Sequence, residues 1–268
     1  MPDQTETRLL EGLKAAIAEE RIVPWFQPVM DNVGVDMLSA EALPRWEDPV
    51  RGVIPAGVFI STAIRHGLLA DISRVLLGRS CANYADWRDR GIAPPAVSVN
   101  FTGAELRSGV SVEQIRWAME RHGMDPAQLA IEIPESVLYE DGWEENLAAI
   151  RGLRALGVPF WLDDFGSDAG DPATLSKVDF ALTKVDRKIV GALDDDPAMA
   201  GRLRELVQEA KAQGMKIIAK GVETRPQIDV LMGLGCDGQQ GFAIARPMAE
   251  DAFAEWLDLN SWRGAATA

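Results

Sequence analysis

The chain has 268 residues, 47% hydrophobic and 25% charged, a composition and length that suit one sizeable core and that α/β barrels commonly reach as a single domain. A formal net charge of −14 argues against general nucleic-acid or anionic-membrane binding, because a polyphosphate would be repelled, while a small anion stays open where a cation mediates. Cys81 and Cys236 give neither a disulfide framework nor metal-ligand spacing; with a polar, acidic N-terminus and no apolar run of membrane-spanning length, the expectation is a cytoplasmic protein.

Residues 1–21 read as a polar start and a helix leading into the fold, with Leu9, Leu10, Leu13, Ala16 and Ile17 at helical spacing. Strands follow at Ile22 to Val29 and, after a turn near Asn32-Val33-Gly34, at Met37 to Leu43. A link through Pro55 and Val58-Phe59-Ile60 leads to a long helix over Leu69 to Arg88. From there strand and helix alternate. Strands are expected at Ala96–Asn100, Leu129–Ile133, Val158 to Asp164, Phe180–Val185, Lys216–Ala219 and Gly238–Phe242; helices at Val112–His122, Trp143–Leu156, Met199–Gln213, Gln227–Leu234 and Ala249–Leu257. Residues 258–268 read as a tail. Such alternation means a parallel sheet, and the absence of GxGxxG and GxxxxGK[ST] phosphate loops favours a closed barrel over an open nucleotide-binding sheet.

In barrels of this kind the working groups sit at the C-terminal ends of the strands. Those ends carry Glu41, Asn100, Glu132, the adjacent pair Asp163 and Asp164, Lys184, Lys220 and Gln240. Any one of them could be a turn or cap residue. Seven successive strand ends of this kind point instead to a site. The oxygen-rich set suits Mg or Mn rather than zinc, and His66 and His122 stand alone as structural or exposed residues. A hard cation there could polarise a phosphoryl oxygen, with a lysine such as Lys184 stabilising charge, so the residues by themselves reach metal-assisted phosphate-ester hydrolysis.

Several ordered motifs carry a resemblance: Gln27 in Phe-Gln-Pro, Glu41-Ala42-Leu43 with Arg45-Trp46, Ser98-Val99-Asn100, Glu132-Ile133-Pro134-Glu135, Asp163-Asp164-Phe165-Gly166, Lys184-Val185-Asp186, Gly221-Val222-Glu223-Thr224 and Gln240-Gly241-Phe242. The chain resembles EAL-domain cyclic di-GMP phosphodiesterases from about Ile22 to Trp256, with the domain placed at 22–257. The resemblance implies a modified TIM-type (β/α)8 barrel with one antiparallel strand, and linearisation of cyclic di-GMP to pGpG with Mg or Mn. It implies Glu41, Asn100, Glu132 and Asp163 as ligands of a first metal, and Asp163 with Asp164 as the bridge to a second. Lys184 is implied to hold the attacking water and Glu135 to tie down the loop after Asp164. Gln27, Arg45, Gln240 and Glu223 are implied as ligand contacts or supports, Arg45 being suited to bidentate phosphate recognition.

The chain departs from the family at Lys220, where the family has a glutamate that serves as general base or second-metal ligand. A lysine there reverses the charge and could pair with Asp163 or Asp164. Lesser departures are the loop Gly166-Ser167-Asp168-Ala169-Gly170-Asp171, Pro44 within the usual Leu-Leu-Arg run, and Ile64 after Ala63. The first expectation is therefore a receptor that binds cyclic di-GMP and hydrolyses it weakly or not at all. An active phosphodiesterase comes second and a nucleotide-independent protein-interaction module third. A homodimer through barrel-edge helices and a protein partner are further expectations of the resemblance.

Overall fold

The computed structural model describes residues 4–32, 34, 36–107, 111–167 and 172–260. Helix α1 (Gln4–Ala18) leads into strands β1 (Ile22–Asp31), β2 (Met37–Asp48) and β3 (Gly52–Pro55), then helices α2 (Ala56–Arg65) and α3 (Leu69–Asp89). Next come β4 (Val97–Asn100), α4 (Gly103–Arg107), α5 (Ser111–His122), β5 (Leu129–Pro134), α6 (Trp143–Arg154), β6 (Phe160–Phe165), α7 (Pro172–Leu175) and β7 (Leu182–Val185). The chain continues through α8 (Arg187–Gly191), α9 (Pro197–Ala212), β8 (Lys216–Lys220), α10 (Arg225–Leu234), β9 (Gly238–Gln240), β10 (Met248–Ala249) and α11 (Glu250–Leu259).

Eight strands close in the order β1-β9-β8-β7-β6-β5-β4-β2, and β2 returns to β1. Every neighbouring pair from β2 round to β9 is parallel, whereas β1 is antiparallel to both β2 and β9. The fold is the modified (β/α)8 barrel with one antiparallel strand. The reason is the length of the connection: a short turn can join only antiparallel strands, while the later links each carry a helix across the barrel's outside.

Strand β2 is longer than the sequence suggests. Its parallel pairing with β4 ends at Ala42 opposite Val99, but it runs on to Asp48 between β1 and β3. Glu41 thus lies inside a strand rather than at its end, level with the barrel rim. Pro44 does not stop the strand: it lies opposite Pro24, and a pair lacking both N–H groups is compatible with a non-hydrogen-bonded rung. The region around Val58-Phe59-Ile60 is helix α2, which packs Phe59 against Trp46, Leu13 and Ala16 in a small core beneath the β2–β3 arm. At the other end the closing helix reaches Leu259, and residues 261–268 of the expected tail lie outside the described ones.

The barrel interior explains why the polar residues gather. Ala130, Trp161, Leu182 and Ile218 form an apolar plug separate from the larger core between sheet and helices. Each lies two residues before Glu132, Asp163, Lys184 or Lys220. Side chains two apart on a strand share a face, so the four polar residues form the next layer up, above a dry floor.

Candidate functional site

The centre of that layer is Lys184, fully buried on β7. Its Nζ lies 2.7 Å from Glu41 Oε2 and 2.6 Å from Glu132 Oε1. Glu41 is further fixed by Asn100 Nδ2, which donates to Oε1 at 2.8 Å, and by Gln240 Nε2, which donates to Oε2 at 2.8 Å. Gln240 also reaches Gln27 Oε1 at 3.4 Å, and Gln27 Nε2 donates to the Ala245 carbonyl at 2.9 Å. Gln27 and Gln240 therefore support Glu41 and pin the turn after β9.

Glu132 is held differently. Its Oε1 pairs with Lys184, and among the described residues no amide side chain donates to either of its oxygens as Asn100 and Gln240 do to Glu41. Both acids are buried, which raises a carboxyl group. For Glu41 that effect is outweighed by Lys184, Lys220 and the bond from Gln240, holding it down at about 2. For Glu132 burial dominates, the Glu41 charge adds to it and Lys184 opposes, leaving it at about 7. Burial would deprotonate Lys184, but Glu132 and Glu41 push it upward instead, so it remains an ammonium.

The second cluster joins β6 to β8. Lys220 Nζ lies 2.6 Å from Asp163 Oδ1 and 2.5 Å from Asp164 Oδ1. Neighbours on a regular strand point to opposite faces, so this convergence needs a break in regularity. Asp164 supplies it with φ of 53°, and the β6–β7 register slips between Leu162 and Phe165. Aspartate is among the few side chains that enter the left-handed region readily. The segment is braced from below by Glu135, buried just after β5, whose Oε2 accepts from Gly166 N at 2.9 Å. Burial raises Asp163 while Lys220 opposes, and Lys220 itself is pushed upward by Asp163, Glu41 and Asp164 against the cost of burial. Of the loop expected after this point, residues 168–171 lie outside the described ones.

Two sequence-selected residues stand at the rim. Arg45 is tethered at one nitrogen: its Nη1 donates to the Pro44 carbonyl at 3.0 Å, its guanidinium lies 5.6 Å from the Trp25 ring centroid, and among the described residues Nε and Nη2 have no hydrogen-bond partner. Burial lowers its pKa and Glu41 raises it. Glu223 is exposed in the loop that precedes α10. That loop is locked to the barrel by Gly221 N and Val222 N, which both donate to Gln240 O. Gly241 is required there, because a Cβ would meet Val222 O at 2.1 Å. Trp25 was not marked by the sequence. Only the β1–β2 register, which sets Trp25 opposite Leu43 and near Arg45, brings it to the mouth.

The donor set can be compared with what a divalent cation needs. Glu41, Asn100, Glu132 and Asp163 are all oxygen-bearing, and Glu132 Oε2, buried and without a hydrogen-bond partner among the described residues, is where a hard cation would be accommodated. The residues fit one cation by donor chemistry, though among the described residues no three acidic, histidine or cysteine side chains converge into a ready cage. A second cation between Asp163 and Asp164 does not fit, because the Lys220 ammonium is already there.

Known proteins resemble this chain in sequence and in fold. The profile of the EAL domain matches residues 10–247. The bifunctional diguanylate cyclase/cyclic di-GMP phosphodiesterase MucR of Pseudomonas aeruginosa is 32% identical over 245 residues, 91% of this chain and 36% of MucR. The cyclic di-GMP phosphodiesterase PdeR of Escherichia coli is 30% identical over 245 residues, 91% of this chain and 37% of PdeR. The chain thus spans just over a third of those relatives' length, at 36% and 37%. Among solved structures, the PaMucR phosphodiesterase in complex with c-di-GMP superposes with a TM-score of 0.87 at 31% identity, covering 92% of this chain and 99% of that one. The Xanthomonas citri FimX EAL domain in complex with c-diGMP shares the fold, with a TM-score of 0.81 at 20% identity over 91% of this chain and 94% of that one. No helix among the described residues is long and apolar enough to cross a membrane.

Proposed function

We propose that this chain, which belongs to the EAL-domain family, binds cyclic di-GMP at the barrel mouth as a signalling receptor and hydrolyses it weakly or not at all. The observation that carries the reading is Lys220 Nζ lodged between Asp163 and Asp164. A Mg or Mn ion on Glu41, Asn100, Glu132 and Asp163 would polarise a phosphodiester oxygen. The rest falls to the chain. Lys184 neutralises Glu41 and Glu132, Glu135 holds the segment after Asp164, and Lys220 adds a fixed positive charge that attracts phosphate but, as an ammonium, accepts no proton from water. Binding is thereby retained while the general-base contribution is removed.

An active phosphodiesterase is the second reading, favoured by the 31% identity with the PaMucR phosphodiesterase over nearly the whole of both chains. Purified protein in molar excess over cyclic di-GMP, with Mg and separately with Mn, separates the two when the nucleotides are resolved by chromatography. The receptor reading expects intact nucleotide together with calorimetric binding that Glu41→Ala abolishes. Formation of pGpG, absent in Glu41→Ala, makes the protein an enzyme. Absence of binding in every metal condition leaves the nucleotide-independent interaction module.

A further inference from the structure

Strands β1 and β2 rise past the barrel rim as an antiparallel arm whose inward face forms a wall above Glu41. Register sets Gln27 opposite Glu41, Trp25 opposite Leu43 and Val23 opposite Arg45. Alternation puts these side chains on one face, and the other face carries Ile22, Phe26, Ala42 and Trp46, all fully buried. Up the wall, buried Gln27 and Glu41 give way to partly exposed Trp25, Leu43, Val23 and Arg45. An apolar, aromatic surface therefore stands directly over a cluster of acids and ammoniums.

Trp25 and Arg45 are paired there. The guanidinium lies 5.6 Å from the indole centroid, its Nη1 is committed to the Pro44 carbonyl, and among the described residues it forms no salt bridge. The indole Nε1 has no hydrogen-bond partner among the described residues, so packing and Arg45 orient the ring. The tether to Pro44 uses Nη1 alone and leaves the Nε and Nη2 donors available to a ligand. A planar base would leave both contacts in place. Trp25 lies one same-face step above the Gln27–Glu41 rung, roughly 7 Å along the strand, the scale on which a nucleobase stands off from its own phosphate.

We propose that the Trp25 indole, held by Arg45, is the stacking surface for one guanine of cyclic di-GMP, an inference that rests on the cyclic di-GMP reading above. The purine presents a π-face to the indole, and its O6 and N7 acceptors suit a guanidinium at the edge of the stack.

Calorimetric titration of cyclic di-GMP in Mg, with nucleotide integrity checked by chromatography, tests this on the wild type, Trp25→Leu and Trp25→Phe. Trp25→Leu should weaken affinity about tenfold, the scale of losing one base–aromatic stack. Trp25→Phe keeps a ring and should stay within roughly threefold. It should also lose a large part of the tryptophan-fluorescence quenching that the nucleotide causes in the wild type. A Trp25→Leu protein that melts like the wild type and binds equally well overturns the stack, as does undiminished quenching in Trp25→Phe. The second result decides the matter even if Trp25→Leu fails to fold. Failure of the wild type to bind overturns the cyclic di-GMP reading and the stack together, whereas wild-type binding with unaffected variants sinks the stack alone.

Discussion

Lys220 bridges two consecutive residues of one strand, with Nζ 2.6 Å from Asp163 Oδ1 and 2.5 Å from Asp164 Oδ1. The bridge depends on the left-handed turn at Asp164, which swings its carboxylate to the side of Asp163. An ammonium there satisfies both acids without a metal. It also occupies the place between them that a second metal would take.

Replacing Lys220 by glutamate should reverse both effects. Release of pGpG in Mg or Mn should rise on the order of a hundredfold, the scale of a positioned general base. In chelator the same variant should melt below the wild type, because three carboxylates then crowd one another, and Mg should raise its melting point more than it raises the wild type's. An unchanged rate, with the nucleotide bound, would place the catalytic defect elsewhere.

Lys184 is expected to matter for folding before it matters for chemistry. Lys184→Met leaves Glu41 and Glu132 buried without their shared cation, and breaking a buried pair in this way costs about 3–5 kcal/mol. Urea unfolding in chelator reads that loss as a lower midpoint at unchanged slope. A midpoint like the wild type's would mean that the two acids are neutralised by other means.

The acids make opposite contributions to the pH profile of the metal-free protein. Glu132 titrates at about 7 in the fold against an ordinary 4.5, so between those values the folded state binds more protons than the unfolded one. Its contribution is fully present below about 4.5, declines as pH rises towards 7, and is flat above. Glu41, held at about 2, contributes above its ordinary 4.5 and loses that contribution as pH falls towards 2. Glu132→Gln should therefore gain stability relative to the wild type when urea midpoints are compared at pH 5 and pH 8 in chelator. Parallel profiles for the two proteins would refute the assignment.

Glu135 is expected to act through backbone rather than through ligand. Its Oε2 accepts the Gly166 N–H at 2.9 Å, just beyond Asp164. Glu135→Ala orphans that donor at a cost of about 1–3 kcal/mol and should weaken cyclic di-GMP binding by loosening the segment that carries Asp164. Glu135→Gln keeps an acceptor and should recover part of both. Equal damage from the two variants would show that the charge, not the hydrogen bond, is what the loop requires.

The polar strand ends were legible in the sequence because they are local. A buried strand alternates its faces, and Glu132, Asp163, Lys184 and Lys220 each stand two residues beyond an apolar residue that fills the barrel floor. Motif order and strand–helix alternation gave the barrel in the same way. The charge reversal at Lys220 needed only the residue's identity.

What the tertiary structure decided depends on residues far apart in the chain. Glu41 lies mid-strand because β2 gains antiparallel partners in β1 and β3 after its parallel partner ends, a change that no local pattern records. Lys184 meets Glu41 across 143 positions of sequence and Glu132 as well, but Asn100 and Gln240 donate to Glu41 alone, leaving Glu132 the less compensated of the two. Trp25 reaches Arg45 only through hairpin register. Chain order fixes which side chains face inward, but the partners each one meets, and hence its charge state, follow from closing the barrel.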